Sequence, residues 1–403
     1  MSAAADAAFA SLSTPAGLAD PYPVYAKIRT ETPCYRSEML GGWVFSRFDD
    51  CQRVLADGET FLVIDGAWRD EHTPGWRDTP AAALLAELLP WKNPPAHTRE
   101  RRLLARDFTV RRVHLLEPAV RRAVDRVLDR FEERGSGEFV GTVLYPLSMA
   151  VIGDLVGVPE SDHAELRRVT DLFSKQVGPE LAPELRDEVD AAALAYRDYF
   201  TELIALRRKE PRDDLTSALI GKHEADPEQM SEDDVLASLI VLFGAGYETT
   251  AGTLGNGLYA LLTHPEEFAK LTADPGLAAA AAEEILRWDG SATLSQRSAA
   301  TDAKVGNTTI AAGERVILIN GAANRDPARF TDPDAFAITR DEGRGLFFGH
   351  GLHLCLGAAL ARLEMTILLE QVAKRFPGLA LTGPAVRRPN MALRGMDSLP
   401  VSR

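Results

Sequence analysis

One long apolar stretch constrains the fold more than any other feature of this sequence. It opens at Ser231, with Asp234 three positions later, a variant of the capping box that begins helices. It runs to Thr263, before Pro265 stops it, and its 33 residues span roughly 50 Å at about 1.5 Å per residue. The middle, Val235 to Ala245, is apolar on nearly every side, which predicts burial all round. The sequence therefore predicts a buried helix that crosses the whole molecule.

Helical periodicity dominates the rest of the chain, and strand-like segments are few. Besides the long helix, the predicted helices are Val113 to Glu133, Asp162 to Val177, Pro183 to Arg208, Leu277 to Trp288 and Ala358 to Phe376, and the predicted strands are Gly42 to Ser46, Ala303 to Ile310 and Glu314 to Ile319. No Gly/Ser-rich, Pro-rich or single-charge linker divides the chain. We therefore expect a single domain over residues 1–403 that is mostly α with a small β region.

Charge and cysteine usage exclude several classes of protein. A net charge of −14 repels phosphate backbones and anionic lipid, so nucleic acid is not expected as a partner. Three scattered cysteines, Cys34, Cys51 and Cys355, are too few for a disulfide framework and indicate a reducing compartment. Met1 to Pro21 lacks the basic and apolar regions of a secretory signal, and no uncharged apolar run reaches the roughly 18 residues of a membrane span. We expect a cytoplasmic protein without a membrane segment.

The segment from Phe348 to Gly357 carries the strongest chemical signal. Its three glycines allow positive φ angles and let the backbone approach a flat, bulky group closely. Cys355 precedes the helix predicted to begin at Ala358, where the helix dipole favours a thiolate, a soft ligand suited to iron. A lone cysteine is more often a small buried hydrophobe. Three glycines at this spacing, however, match a given position only about 3 times in 10,000 at ordinary glycine usage.

This segment matches, at every fixed position, the haem-binding signature Phe-Gly-x-Gly-x-(His or Arg)-x-Cys-x-Gly of the cytochrome P450 family. The chain resembles a soluble bacterial P450 of actinobacterial type over nearly its full length. The resemblance implies a P450 fold, in which the long central helix lies over a buried haem b (heme b, iron protoporphyrin IX). It also implies that Cys355 is the iron ligand and that Phe348, Gly349, His353 and Gly357 bind the cofactor.

A second motif, Ala-Gly-Tyr-Glu-Thr-Thr, lies in the middle of the long helix from Ala245 to Thr250. A glycine inside a helix costs about 1 kcal/mol relative to alanine, and a buried glutamate is expensive, so this segment breaks two local rules. Taken alone, it is equally consistent with a core glutamate satisfied by its neighbours. It resembles the family's Ala/Gly-Gly-x-Asp/Glu-Thr motif, which implies that Ala245 contacts the cofactor and that Glu248 and Thr249 are the catalytic acid and alcohol.

His97 and Arg101 lie one helical turn apart, a geometry that can chelate a carboxylate. Each residue taken singly is more typical of a solvated helix face. By resemblance to the family, these two residues, Arg297 and His353 bind the haem carboxylates.

Glu284 and Arg287 form an acid and base pair of a spacing that abounds in proteins. The pair resembles the family's Glu-x-x-Arg, which is structural rather than catalytic. Many relatives complete it with an arginine where this chain has Ala335, so the sequence leaves the third member open.

Six arginines lie between Arg99 and Arg112 against two acids, on an acidic protein. They form either a solvated helix face or a docking patch for an acidic redox carrier. The resemblance implies an acidic ferredoxin and its reductase as electron donors, since the sequence shows no flavin or iron–sulfur module.

We expect a monooxygenase that inserts one oxygen atom from O2 into a small organic substrate, by hydroxylation or epoxidation, in natural-product tailoring or catabolism. Oxidative coupling, desaturation, peroxide-driven oxidation and a non-catalytic haem-thiolate module remain as alternatives. By resemblance, the substrate contacts come from Phe61 to Trp91, Asp162 to Arg208, Ala292 to Leu294 and Met391 to Met396. Ser291 occupies a position where proline is usual, which predicts a different pocket wall.

Overall fold

The computed structural model describes residues 2–177 and 183–403. In chain order its α-helices are α1 (Ser2–Ala10), α2 (Pro15–Ala19), α3 (Tyr22–Glu31), α4 (Phe48–Ala56), α5 (Gly66–His72), α6 (Pro80–Glu87), α7 (Ala96–Leu104), α8 (Val110–Arg134), α9 (Tyr145–Val156), α10 (His163–Phe173), α11 (Arg186–Lys209), α12 (Leu215–Ala225), α13 (Glu232–Thr263), α14 (Pro265–Ala273), α15 (Ala278–Asp289), α16 (Asn320–Ala323) and α17 (Ala358–Arg375). The strands are β1 (Cys34–Ser37), β2 (Gly42–Phe45), β3 (Phe61–Leu62), β4 (Ser136–Glu138), β5 (Leu294–Ala299), β6 (Ala303–Val305), β7 (Thr308–Ile310), β8 (Arg315–Ile319), β9 (Ala380–Leu381), β10 (Val386–Arg387), β11 (Met396–Ser398) and β12 (Pro400–Ser402). The predicted fold class, mostly α with a small β region, is confirmed.

The long helix α13 begins where the capping motif predicts. The Asp234 N–H donates to the Ser231 hydroxyl at 3.1 Å, and the Asp234 carboxylate accepts from the Ser231 N–H at 2.9 Å. These two bonds satisfy backbone donors that the first helical turn cannot pair internally. At the other end the helix stops at Thr263, and Pro265 starts α14. The prediction for this helix is therefore confirmed at both ends.

The chain forms two compact units. The first contains Met1–Leu62, Leu116–Leu147 and Thr249–Arg403, and the second contains Val63–Leu115 and Ser148–Glu248. Each unit is assembled from segments that are distant in sequence, which is why no linker is visible in the composition. The single domain over residues 1–403 stays a prediction.

A five-stranded sheet with the order β1-β2-β8-β5-β3 organises the first unit. Adjacent strands of this sheet are antiparallel except for β2 and β8, which are parallel. Successive residues of a strand point to opposite faces, so the sheet separates two apolar clusters. Val44 and Ile317 pack with α1 and α3 on one face, whereas Phe45 and Leu318 pack with α4 on the other. This core fixes β5, which carries Arg297.

Smaller elements complete the first unit. Helices α14 and α15 both pack on α17. The remaining sheets are β4-β12-β9, β10-β11 and the hairpin β6-β7. The predicted strand Ala303 to Ile310 is divided into that hairpin because Gly306, with φ of 56°, turns the chain.

The second unit is a helical assembly. It contains α5 to α7, most of α9, α10 to α12 and the first half of α13. Aromatic rings from three of these helices meet: Tyr196 lies 5.9 Å from Phe173 and 5.5 Å from Phe200, which in turn lies 5.8 Å from Phe243. Large aromatic side chains bury much apolar surface, so this cluster holds α13 against α10 and α11.

Helix α13 is also the one described helix whose length and composition would allow it to cross a membrane. Its most apolar window is 72% buried inside the protein, as expected of a core helix.

Candidate active site

The loop before α17 is closed by backbone geometry. The Cys355 N–H donates to the Phe348 carbonyl at 2.9 Å. Gly349 and Gly351 have φ of 73° and 68°, the left-handed conformation that the sequence predicts for this segment. A Cβ at Gly351 would lie 2.7 Å from the Leu55 carbonyl oxygen, so the end of α4 leaves room for glycine alone. The loop is therefore held in one conformation that presents Cys355.

Cys355 is exposed, and its carbonyl accepts from the first N–H of α17 at 3.4 Å. Gly357 differs from the other two glycines of the loop, because its φ is −82° and a Cβ there would meet nothing within 4 Å. Positive φ is thus required at two of the three positions rather than at all three. The exposed thiol and the open space at Gly357 leave room for a large group against this loop.

Arg297 is a buried cation on β5. Its side chain is 9% exposed, and Nη1 donates to the Gln296 carbonyl at 2.7 Å. No carboxylate among the described residues pairs with it, and burial lowers the pKa of Arg297 to about 10. A buried guanidinium that lacks a protein anion is suited to an anionic ligand.

His97 and Arg101 lie one turn apart on α7, as predicted, and His97 is 1% exposed. Helix α7 is anchored by charged groups: Arg99 binds Asp234 at 2.8 Å, and Lys92 binds the buried Glu100 at 2.7 Å. Burial raises the pKa of Glu100 to about 7, although Lys92 opposes this shift. The same Asp234 that caps α13 therefore also fixes the position of α7.

The middle of α13 has an accessible face. Ala245 is exposed and Thr249, one turn later, is half-buried, whereas residues from Val235 to Val241 are buried. The sequence predicts burial on every side up to Ala245, and this expectation is wrong for the last residue. The accessible face carries the two positions that the family motif assigns to cofactor contact and to the catalytic alcohol.

The glycines of this segment accommodate side chains of the protein itself. A Cβ at Gly244 would lie 3.2 Å from the Tyr196 hydroxyl, and one at Gly246 would lie 2.8 Å from Ile152 Cδ1. The described contacts at both glycines are with neighbouring helices. Because a Cβ at Gly246 would collide with Ile152 of α9, glycine is used there despite its low helix propensity.

Glu248 is 6% exposed and faces the end of α10. Burial raises the pKa of Glu248 to about 7; the hydrogen bond from Ser174 opposes the shift, and the charge of Asp171 adds to it. A carboxyl group with this pKa holds and releases a proton near neutral pH, as a general acid must.

Comparisons with known proteins agree with this geometry. The family model for cytochrome P450 matches residues 163–274 and 276–389. The chain belongs to the cytochrome P450 family. It is 37% identical over 392 residues to cytochrome P450 monooxygenase PikC of Streptomyces venezuelae, covering 95% of this chain and 91% of that protein. It is 38% identical to nocardicin C N-oxygenase of Nocardia uniformis subsp. tsuyamanensis, covering 95% and 96%. The crystal structure of ligand-free CYP164A2 of Mycobacterium smegmatis is similar with a TM-score of 0.89 and 34% identity, covering 99% of this chain and 100% of that one.

Membership of the family makes the chain a cytochrome P450 monooxygenase, an oxidoreductase that uses haem iron. The residues present fit that cofactor. Cys355 offers an exposed thiol, the loop leaves space at Gly357, and Arg297 offers a buried positive charge to a haem carboxylate.

A third residue, which the sequence analysis missed, completes the ion-pair cluster around the structural Glu-x-x-Arg pair of this P450. Glu284 accepts two hydrogen bonds from Arg287, both at 2.7 Å, and Arg340 Nε lies 3.3 Å from the same carboxylate. The Ala335 carbonyl accepts from both arginines at 3.1 Å. Arg340 thus supplies the charge that an arginine at position 335 would supply. The alanine signalled that a partner was missing, but nothing local pointed to position 340.

The four predicted substrate-contacting segments of the P450 form two contacting pairs. In the first unit, Ala292 to Leu294 and Met391 to Met396 are joined by a bond from the Thr293 N–H to the Ala392 carbonyl at 3.1 Å. In the second unit, the Gln176 amide donates to the Ala81 carbonyl at 2.9 Å, which joins the other two segments. Residues 178–182 of the segment Asp162 to Arg208 lie outside the described residues.

Ser291 differs from the proline usual in P450s in a way that the structure explains. Its N–H donates to the Thr253 hydroxyl at 3.2 Å, and that hydroxyl donates to the Thr249 carbonyl at 2.8 Å. Proline has no N–H and would break this chain of bonds.

Proposed function

We propose that this P450 inserts one oxygen atom from O2 into a small organic substrate, by hydroxylation or epoxidation, in natural-product tailoring or catabolism. The cofactor is haem b, and the protein is cytoplasmic. The observation that carries the proposal is the exposed Cys355, held by a closed loop with two left-handed glycines at the start of α17. Such a loop presents a thiolate rigidly, which a metal ligand requires.

Each proposed cofactor contact has a separate task. Thiolate-bound haem supplies the activation of O2 and the cleavage of the O–O bond. Cys355 would hold the iron, and the neighbouring backbone would lie against the porphyrin. The proposed contacts along the loop are Phe348, Gly349, His353 and Gly357, and Ala245 is the proposed contact from α13. Arg297 and His353 in the first unit, and His97 and Arg101 in the second, would neutralise the haem carboxylates.

Glu248 and Thr249 are proposed as the catalytic acid and alcohol. With a pKa raised to about 7 by burial, Glu248 holds a proton at neutral pH that an ordinary glutamate would have lost. The Thr249 hydroxyl, at a half-buried position on the same face as Ala245, would orient this proton within the site. The pair would therefore deliver protons within the site.

Electrons are proposed to come from an acidic ferredoxin and its reductase. Arg99 is engaged with Asp234, but Arg102, Arg106, Arg111 and Arg112 are exposed. This basic surface on a protein of net charge −14 would attract an acidic carrier and speed the encounter.

A visible spectrum of the reduced, CO-bound protein tests the proposal. We expect a red-shifted Soret band, characteristic of thiolate ligation, that is lost in Cys355→Ser. Cys34→Ser is the matched control and should leave the band unchanged. Cys34 lies outside the loop before α17, where its sulfur is 3.0 Å from the Thr308 hydroxyl. An unshifted band in the unsubstituted protein contradicts the proposed thiolate ligand. For an active preparation, a product mass without added oxygen would contradict oxygen insertion.

A further inference from the structure

A guanidinium group of α17 lies over the ring of the first residue of the cysteine loop. The Phe348 ring is half-buried, and the Arg362 guanidinium carbon lies 4.5 Å from its centroid. A cation at this distance is attracted by the negative face of an aromatic ring. Arg362 Nη1 also donates to the carbonyl of Ala358, the first residue of α17, at 3.4 Å. The same guanidinium therefore contacts both ends of the loop that presents Cys355.

Arg362 is held in place by a carboxylate of α15. Its Nε donates to Glu283 Oε1, and its Nη2 donates to Glu283 Oε2 at 3.3 Å. Such a two-point pair fixes the orientation of the planar guanidinium as well as its position. The Arg362 side chain is 23% exposed and that of Glu283 is 33% exposed, so solvent screens the pair only in part. Glu283 thus orients the guanidinium that contacts Phe348.

The two residues before Phe348 are fixed in other ways. Leu346 is 2% exposed and belongs to the apolar cluster around α4. The Phe347 ring lies against Gly290, where a Cβ would collide with it. Phe348 follows them, and its carbonyl accepts the Cys355 N–H at 2.9 Å. A shift of Phe348 would therefore move the main-chain group that pairs with Cys355.

We propose that Arg362 is a positioning residue that fixes Phe348 and thereby keeps the Cys355 loop closed. The inference rests on the proposed role of Cys355 as the iron ligand. Without the guanidinium, the half-buried Phe348 ring loses one of the contacts that fix it, and the hydrogen bond from Cys355 to the Phe348 carbonyl becomes easier to break. Thiolate ligation is then lost more readily, while the rest of the fold stays intact.

The experiment follows the visible spectrum of the reduced, CO-bound holoenzyme with time at a fixed temperature. The red-shifted Soret band reports thiolate ligation, and its conversion to an unshifted band reports the loss of that ligation. We expect Arg362→Gln to convert at least about fivefold faster than the unsubstituted enzyme. Arg362→Lys keeps the charge without the planar group and should convert at an intermediate rate. Glu283→Gln weakens the pair that orients the guanidinium and should also convert faster.

Two arginine controls separate this role from general stability. Arg344→Gln removes another cation that lies 3.5 Å from Glu283. Arg375→Gln removes an arginine at the far end of α17 that lies 5.6 Å from the Phe376 ring and forms two ion pairs at 2.6 Å. It should lower the denaturant midpoint at least as much as Arg362→Gln does. Both controls should convert at the rate of the unsubstituted enzyme, and an Arg362→Gln enzyme that converts no faster than Arg375→Gln overturns the proposal.

A double-mutant cycle tests whether Arg362 acts through the ring. Phe348→Leu lacks the aromatic face, so adding Arg362→Gln should change the conversion rate by less than about twofold. The full effect of Arg362→Gln in that background overturns a role through Phe348. A red-shifted band in the unsubstituted enzyme that responds to none of these variants overturns this inference alone. An unshifted band in the unsubstituted enzyme overturns the proposed iron ligand, and this inference with it.

Discussion

Two glutamates are buried to a similar extent in this protein but have opposite surroundings. Glu284 on α15 is 3% exposed and Glu248 on α13 is 6% exposed. Arg287 and Arg340 surround Glu284 with positive charge within 3.3 Å. Glu248 faces a hydroxyl and the like charge of Asp171. The first arrangement pairs the carboxylate with two arginines, and the second keeps a proton available near neutral pH. Burial therefore does not by itself distinguish a functional acid from a structural one, and the charge of the neighbours separates these two glutamates.

The largest expected effect comes from breaking the pair around Glu284. Arg287→Ala leaves a buried carboxylate with Arg340 as its remaining cation, and removing one partner of a buried ion pair costs about 3–5 kcal/mol. Denaturant unfolding of the holoenzyme would measure this loss.

Arg168→Ala is the control for that variant, since Arg168 also forms an i,i+3 pair but at the surface. It should leave stability unchanged. A similarly small effect for Arg287→Ala would show that Glu284 is not held by charge, and the contrast with Glu248 would disappear.

The sequence predicted the parts of this comparison that depend on local pattern. The Cys355 loop and the ends of α13 follow from glycine, cysteine and capping residues that lie close together in the chain. Long helices were predicted because their period extends over many residues. Short strands such as β1 and β5 were missed, since Cys34–Ser37 and Leu294–Ala299 are largely polar and are stabilised by neighbouring strands rather than by their own pattern.

The partners of the two glutamates could not be predicted for a different reason. Arg340 lies 56 positions from Glu284, and Asp171 lies 77 positions from Glu248. Such contacts depend on how distant segments pack, which a single sequence does not encode in any local period. The sites assigned to Cys355, Arg297, His97 and Arg101 likewise remain predictions until a loaded enzyme is measured, although their positions on loop, strand and helix are now defined.

The dependence of the unfolding free energy on pH tests the proposed state of Glu248. Burial raises the pKa of Glu248 from 4.5 to about 7, so the folded state binds more protons than the unfolded state between these values. This contribution to stability is fully present below pH 4.5 and is lost as pH rises through 7. In Glu248→Gln, the unfolding free energy should therefore fall less between pH 5 and pH 8 than in the unsubstituted protein. The difference should be on the order of 2 kcal/mol.

Glu100 controls for other buried acids in that series, because burial also raises its pKa to about 7. Glu100→Gln should remove a separate share of the pH dependence, and the double variant should flatten the profile further. If Glu248→Gln retains the full slope of the unsubstituted protein, Glu248 is not a neutral-pH acid.

The smallest expected effect tests the third member of the Glu284 cluster. Arg340→Gln removes one charged contact at 3.3 Å while Arg287 keeps its two bonds, so the expected loss is about 1 kcal/mol. Arg344→Gln is the control, since Arg344 is 71% exposed and lies 3.5 Å from Glu283. A double-mutant cycle with Glu284→Gln should give a coupling energy of about 1 kcal/mol. Zero coupling would assign the stability of Glu284 to Arg287 alone, and position 340 would then have no part in replacing the arginine absent at position 335.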